Sequence, residues 1–276
     1  MGQRRSLCIA GIAAASLLGL LTGCKPGPAV RQGQIVDNGT RRETPAAPRA
    51  TAPLDRSTLG TVTGTVQFTG PPPARIKIDM SMDPACSISG AGTAAENYSE
   101  QYVVHDSKLT SVYIFVKTGP PAAMNIGDAS PAPVILDQVG CRYKPHIIAV
   151  EQGGTVQFRN SDATMHNIHT MPTTIGNDSI DISQGPKGGP ITKHFTRPEI
   201  MIPVRCNNHP WMNAFINVSA TPFFAVSDAD GHFTITGLPA GTYTLAAVHE
   251  KLGEQDTTVT VEPQAAAKAD FNFSSK

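Results

Sequence analysis

Between positions 204 and 212 the chain reads Val204-Arg-Cys206-Asn-Asn-His209-Pro-Trp-Met212, which sets a thiol, an imidazole and a thioether at i, i+3 and i+6. Cys206 and His209 would fall on opposite faces of a regular strand. A loop that leaves the apolar run 200–204 is therefore needed to turn all three toward one point. Thiolate, imidazole and thioether are soft or borderline donors that suit copper. A copper centre built for electron transfer takes two His and one Cys in a plane, with a weak axial Met. The loop supplies all but one His. The missing imidazole has to come from a distant strand, and Val156-Gln-Phe-Arg-Asn160-Ser-Asp-Ala-Thr-Met-His166-Asn167 offers His166. Two other readings stay open. Cys206 could be an inert buried thiol or half of a disulfide, with His209 on the surface. A structural zinc site is the other, although Met212 is a poor zinc ligand. His169 is ambiguous: on a strand it faces away from His166 and is a surface or supporting residue, while a bend would make it an additional ligand. His146 and His249 read as structural or interfacial, and no function attaches to His105, His194 or His232.

The elements that must position these residues are strands. From Thr61 the pattern has period two, with Val62, Gly64, Val66 and Phe68 alternating with polar residues until Gly70-Pro-Pro-Pro73 stops it. Ile76 and Ile78 predict another strand. Val112, Ile114 and Val116 mark the next, followed by a Pro/Ala/Gly-rich crossing loop over 119–133. Strands are then predicted at 134–136, 147–150, 155–159, 200–204 and 214–218, with 172–190 a polar, Gly-rich loop. Toward the end, turns at Asp228-Ala-Asp-Gly231 and Gly237-Leu-Pro-Ala-Gly241 separate strands at 232–236 and 242–248, and 257–261 closes the set. No segment of helical period follows the first 23 residues, so the predicted class is all-β.

Two resemblances follow from these residues. The apolar strand, Asn160, short loop and His166-Asn167, together with the ordered Cys206-x-x-His209-Pro-aromatic-Met212 loop, resemble the plastocyanin- and amicyanin-like cupredoxins over about 133–219. The resemblance implies a Greek-key β-sandwich with His166, Cys206, His209 and Met212 as ligands to one copper ion cycling between Cu(I) and Cu(II). It also implies that Asn160 and Asn167 support the Cys loop, and that His209 reaches the surface through an apolar patch that serves as electron exit and docking face. The opening Gly60-Thr-Val-Thr-Gly-Thr-Val66 and the turn-and-strand pattern after 220 resemble the carboxypeptidase regulatory-like, or transthyretin-like, β-sandwich. The expected organisation is a signal peptide at 1–23, a Pro/Ala-rich tether at 24–58, an N-terminal sandwich portion at 59–132, the cupredoxin domain at 133–219, and the remaining sandwich portion at 220–276. Either one sandwich is split by an insertion, or there are two separate domains.

The rest of the sequence bounds the setting. Arg4 and Arg5 precede a short apolar run that ends in Leu21-Thr22-Gly23-Cys24, which resembles a bacterial lipobox. Cys24 is then the lipidated residue, the membrane is reached through that anchor, and Lys25 points to outer-membrane sorting on the periplasmic side. The formal charge is +0, so there is no polybasic footprint for nucleic acid. Setting aside Cys8, Cys24 and Cys206 leaves Cys86 and Cys141, an even remainder that predicts a disulfide in an oxidising compartment, with two buried thiols as the alternative. The expected function is electron transfer with a redox protein partner. Copper storage or delivery, or a non-metal binding module, are the alternatives. No catalytic residue is identified. A copper nitrite reductase would need a second, His-rich copper site, and no matching ligand set is found.

Overall fold

The computed structural model describes residues 56–89, 98–124 and 132–275. Cys24, the signal segment and most of the tether lie outside them. The described chain is all-β, arranged in several sheets.

Strand Gly60–Thr69 buries Val62, Val66 and Phe68, as its alternation requires. It runs antiparallel to His232–Leu238 and parallel to Ala266–Lys268 and Phe271–Ser274. Gly64 is needed where the chain crosses between those last two strands, because a Cβ there would lie 1.6 Å from the carbonyl oxygen of Ala269. Next to it, Asp270 accepts bonds from the amide and hydroxyl of Thr65, both at 2.9 Å. A second sheet, ordered Phe224–Val226, Tyr113–Thr118, Gly241–His249 and Gly253–Val261, covers the first. Val62, Val66, Ile114, Val116, Ile235 and Leu245 fill the space between them.

The chain leaves this sandwich after Tyr113–Thr118 and returns at Phe224–Val226, and these two strands pair with each other. The excursion between them builds a second sandwich. One sheet is ordered Asp181–Gln184, His166–Thr170, Glu199–Arg205, Asn213–Ser219 and Ile147–Glu151. The other is ordered Ile191–His194, Thr155–Asn160, Val134–Gln138 and Tyr143–Lys144. Its core includes Leu136, Val156, Phe158, Ile168, Val204 and Ile216. Strand Ile147–Glu151 is buried at all five positions. Ile148 and Val150 face their own core, while Ile147 and Ala149 join Tyr113 in a cluster with Phe115, Phe215 and Phe224 of both sandwiches. That is why its sequence is a continuous apolar run and not an alternating one.

Three expectations about elements need correction. Residues 76 and 78 form no strand: after the prolines this stretch makes only an isolated bridge between Lys77 and Tyr98, and Ile76 is exposed. The polar loop 172–190 contains a strand, Asp181–Gln184, which pairs with His166–His169. As an edge strand with one apolar residue facing inward it carries almost no period-two signal. Short helices at Pro84–Ser89 and Pro121–Met124 are too brief to show a 3.6-residue period.

Candidate metal centre

The loop between Glu199–Arg205 and Asn213–Ser219 is closed by its own backbone. Met212 N–H donates to the His209 carbonyl at 2.9 Å, and Cys206 N–H donates to the Met212 carbonyl at 3.3 Å. This turns Cys206, His209 and Met212 to the inside, where they are 4%, 3% and 1% exposed. His166, fully buried, begins the neighbouring strand His166–Thr170. Its Nδ1 lies 3.0 Å from Nδ1 of His209, which lies 3.5 Å from the Cys206 sulfur. Donor atoms of His166, Cys206 and His209 all fall within 4.8 Å of one another, an arrangement able to hold a metal ion.

Both imidazoles are fixed from behind. Nε2 of His166 is 2.8 Å from Oδ2 of Asp162, whose carboxylate also accepts the amides of Gly140 and Cys141 at 2.7 and 2.8 Å. Nε2 of His209 is 2.9 Å from Oδ2 of Asp83. A carboxylate on one ring nitrogen orients the other toward an ion and makes it a better donor. Burial works against charge on His166, but the Asp162 carboxylate and the Cys206 sulfur outweigh it and push its pKa up to about 9. Burial likewise opposes the Cys206 thiolate. Hydrogen bonds from His166, the amides of Asn167 and Asn208, and His209 outweigh that and bring it down to about 7. A thiolate is thus accessible near neutral pH.

The two asparagines act differently. Asn167 N–H donates to the Cys206 sulfur at 3.3 Å, and its side-chain oxygen accepts the Asn207 amide at 3.4 Å, so it supports the Cys loop directly. Asn160 bonds to the carbonyls of Thr164, Gln184 and Gly185 and accepts the Asp162 amide. It shapes the turn that carries Asp162 toward His166. His169 stands apart from the cluster, with Nδ1 3.0 Å from Oδ1 of Asn207. His146 is buried against Glu250 of the other sandwich at 2.7 Å and the Asn213 carbonyl at 3.2 Å. His249 stacks on Tyr102.

Cys86 and Cys141 form a disulfide, and Cys206 is a free, buried thiol. The bridge fastens residues 80–89 over the ligand loop, with the Cys86 sulfur 3.6 Å from Nε2 of His209. This corrects the expected exposure of His209: the segment carrying Asp83 and Cys86 covers its outer edge. Asp83 and Asp162 were missed from the sequence. The one local signal for the first is Asp83-Pro84, a helix cap followed by proline at the first helical position, and the Asp83 carboxylate does accept the Ala85 amide at 2.8 Å.

No curated protein matches the chain in sequence. Among solved structures, a Cu-containing nitrite reductase (NirK) from Thermus scotoductus SA-01 is 24% identical with a TM-score of 0.30. That likeness covers 36% of this chain and only 25% of the reductase. A methionine-to-alanine mutant of amicyanin in its Cu(I) state is 20% identical with a TM-score of 0.29, covering 38% of this chain and 98% of amicyanin. A second such mutant, also in the Cu(I) form, is 21% identical with the same TM-score over 40% and 99%. Residues 205–274 match the model of the carboxypeptidase regulatory-like domain, so the chain carries this domain, although the first matched residues, through Ser219, lie in the ligand loop and the adjoining strand of the other sandwich.

Proposed function

We propose that the chain binds one copper ion at this centre and serves as an electron carrier. The observation that carries the reading is the convergence of the His166, His209 and Cys206 donor atoms within 4.8 Å of one another, with the two Nδ1 atoms 3.0 Å apart, while both Nε2 atoms are engaged by carboxylates. The donors fit the metal on their chemistry. Two imidazoles, a thiolate accessible near pH 7 and the Met212 thioether on the same turn form the set copper takes in electron-transfer sites. Zinc would ask for a fourth strong donor, and the nearest carboxylates, Asp83 and Asp162, are held by the imidazoles. Bound copper would supply one-electron exchange between Cu(I) and Cu(II). The chain's part is to keep the ligands still and dry, through a self-closed loop, a strand-borne His166 and burial of all four residues.

Trp211 is half-buried and packs on His209 with ring centres 5.1 Å apart, which offers a redox protein an apolar contact next to the ligand. In this reading the protein is exported, anchored by lipid at Cys24 on the periplasmic side and sorted to the outer membrane, binds no nucleic acid and catalyses no reaction. The Cys86–Cys141 bridge supports an oxidising compartment. Copper storage or delivery is the second reading, favoured by the covered outer edge of His209, which leaves that ligand without the open face a carrier would present. Adding Cu(II) should produce an intense thiolate-to-copper visible band that Cys206→Ser abolishes, and the loaded protein should exchange electrons reversibly at an electrode. Tight binding without reversible exchange would favour storage; no binding would sink both readings.

A further inference from the structure

The two ligand imidazoles are held by carboxylates of different origin. Asp162 belongs to the same sandwich as His166, four residues before it. Asp83 comes from the stretch between strands Gly60–Thr69 and Val104–His105 of the other sandwich, 126 residues from His209 in sequence. Its segment is fastened at three points. Met80 is buried in the core beneath the site. Cys86 is bonded to Cys141, whose own amide is held by Asp162. Ser87 closes the turn on the carbonyls of Met80 and Asp83 at 2.9 and 3.2 Å. The Asp83 carboxylate itself has little freedom, since Oδ1 takes the Ala85 amide while Oδ2 takes His209 and the Thr164 hydroxyl at 3.2 Å.

We propose that Asp83 is the positioning residue of His209 and the latch of a cap over the centre. It fixes the proton on Nε2, so that Nδ1 presents its lone pair toward Cys206 and His166, and it closes the outer edge of the ring against solvent and exchanging ligands. The inference deepens the copper reading and rests on it. The sandwich built on Gly60–Thr69 thereby gains a role at the centre: it delivers the residue that locks the outer ligand. An ion held at Nδ1 leaves no faster than this segment lifts, because His209 cannot rotate away while Nε2 is held.

The test uses the full chain with Asp83→Ala and Asp83→Asn, the second keeping an oxygen acceptor without the charge. In the metal-free protein, ¹⁵N NMR of the His209 ring should show the proton on Nε2 in the wild type and in Asp83→Asn, and a mixture of tautomers in Asp83→Ala. In the copper-loaded protein, transfer of the ion to excess EDTA, followed by metal analysis, should be about tenfold faster or more in Asp83→Ala, within the range that such supporting partners command. Asp83→Asn should recover most of that loss but show a raised reduction potential, since a negative charge beside a ligand has gone. Unchanged tautomer and unchanged release in Asp83→Ala would overturn the inference. If that variant does not fold, a wild-type rate in Asp83→Asn with an unchanged potential and the His209 proton on Nδ1 would do the same. If the wild-type chain takes no copper, the copper reading falls, while the tautomer comparison still decides the role of Asp83.

Discussion

The sandwich built on Gly60–Thr69 fills its interior with Val62, Val66, Phe68, Leu245, Phe271 and Phe273, and few polar side chains enter it. In the other sandwich, Gln138, Asn160, Asp162, His166, Asn167 and Gln184 are all buried at one end. There Gln138 donates to Gln184 at 2.7 Å, Gln184 donates to the Gly189 carbonyl at 2.8 Å, and Asn160 ties the same strand end. Hydrocarbon cores tolerate rearrangement so long as volume is kept. A buried polar network admits one arrangement, and each broken link leaves a group without water or partner. The first interior supplies stability, while the second holds several imidazole and sulfur atoms in one geometry.

Four measurements sharpen or break that contrast. Asp162→Ala removes the partner of His166 and of two amides, so it should cost about 3–5 kcal/mol in urea unfolding and also weaken copper binding. Leu245→Ala, in the hydrocarbon core, should cost about 2–4 kcal/mol with no change in the spectrum or potential of the loaded protein. If both variants altered the centre equally, the division of labour would be wrong.

The third concerns His249, which burial pushes down to about 4, with Glu250 opposing that shift. Its ring sits between Tyr102 and Phe273, and its Nδ1 accepts the Lys251 amide. The unfolded chain, with this group near 6.5, binds the proton more readily than the native one. Stability should therefore fall as pH drops from about 6.5 toward 4, by about 2 kcal/mol at pH 5, and level off below. His249→Gln should flatten the slope of urea midpoint against pH in this window; an undiminished slope would place the titrating group elsewhere. The smallest effect is expected from Thr164→Val, which removes one bond to Asp83. It should lower stability by about 1 kcal/mol and quicken copper release only slightly.

What could be read from the sequence depended on whether a signal was local. The strand at Gly60–Thr69 announces itself because alternate residues face one core. Cys206, His209 and Met212 stand out because several donor types coincide within one loop. Asp181–Gln184 was hidden because an edge strand whose polar residues serve the network, Asp181 for Asn167 and Gln184 for Gln138, looks like a loop. Asp83 was hidden for a different reason. Its significance is a 2.9 Å contact across 126 residues, and no spacing rule reaches that far. The same distance explains why His209 was expected at the surface: the cap belongs to a part of the chain that a single-domain comparison leaves out.

Strand Gly60–Thr69 also has a mechanical consequence. It is the first described strand, entered directly from residue 58, and lies between an antiparallel neighbour and the two parallel C-terminal strands. A pull transmitted along the chain from its N-terminal side would load this strand lengthwise. Its ladders run across that direction, so many hydrogen bonds must yield together and not one after another. The excursion between Thr118 and Phe224 begins and ends on two adjacent strands of the opposite sheet, outside the line of load. Tension reaching residue 58 would meet these ladders before it reached the segment beyond Thr69, whose Asp83 holds His209.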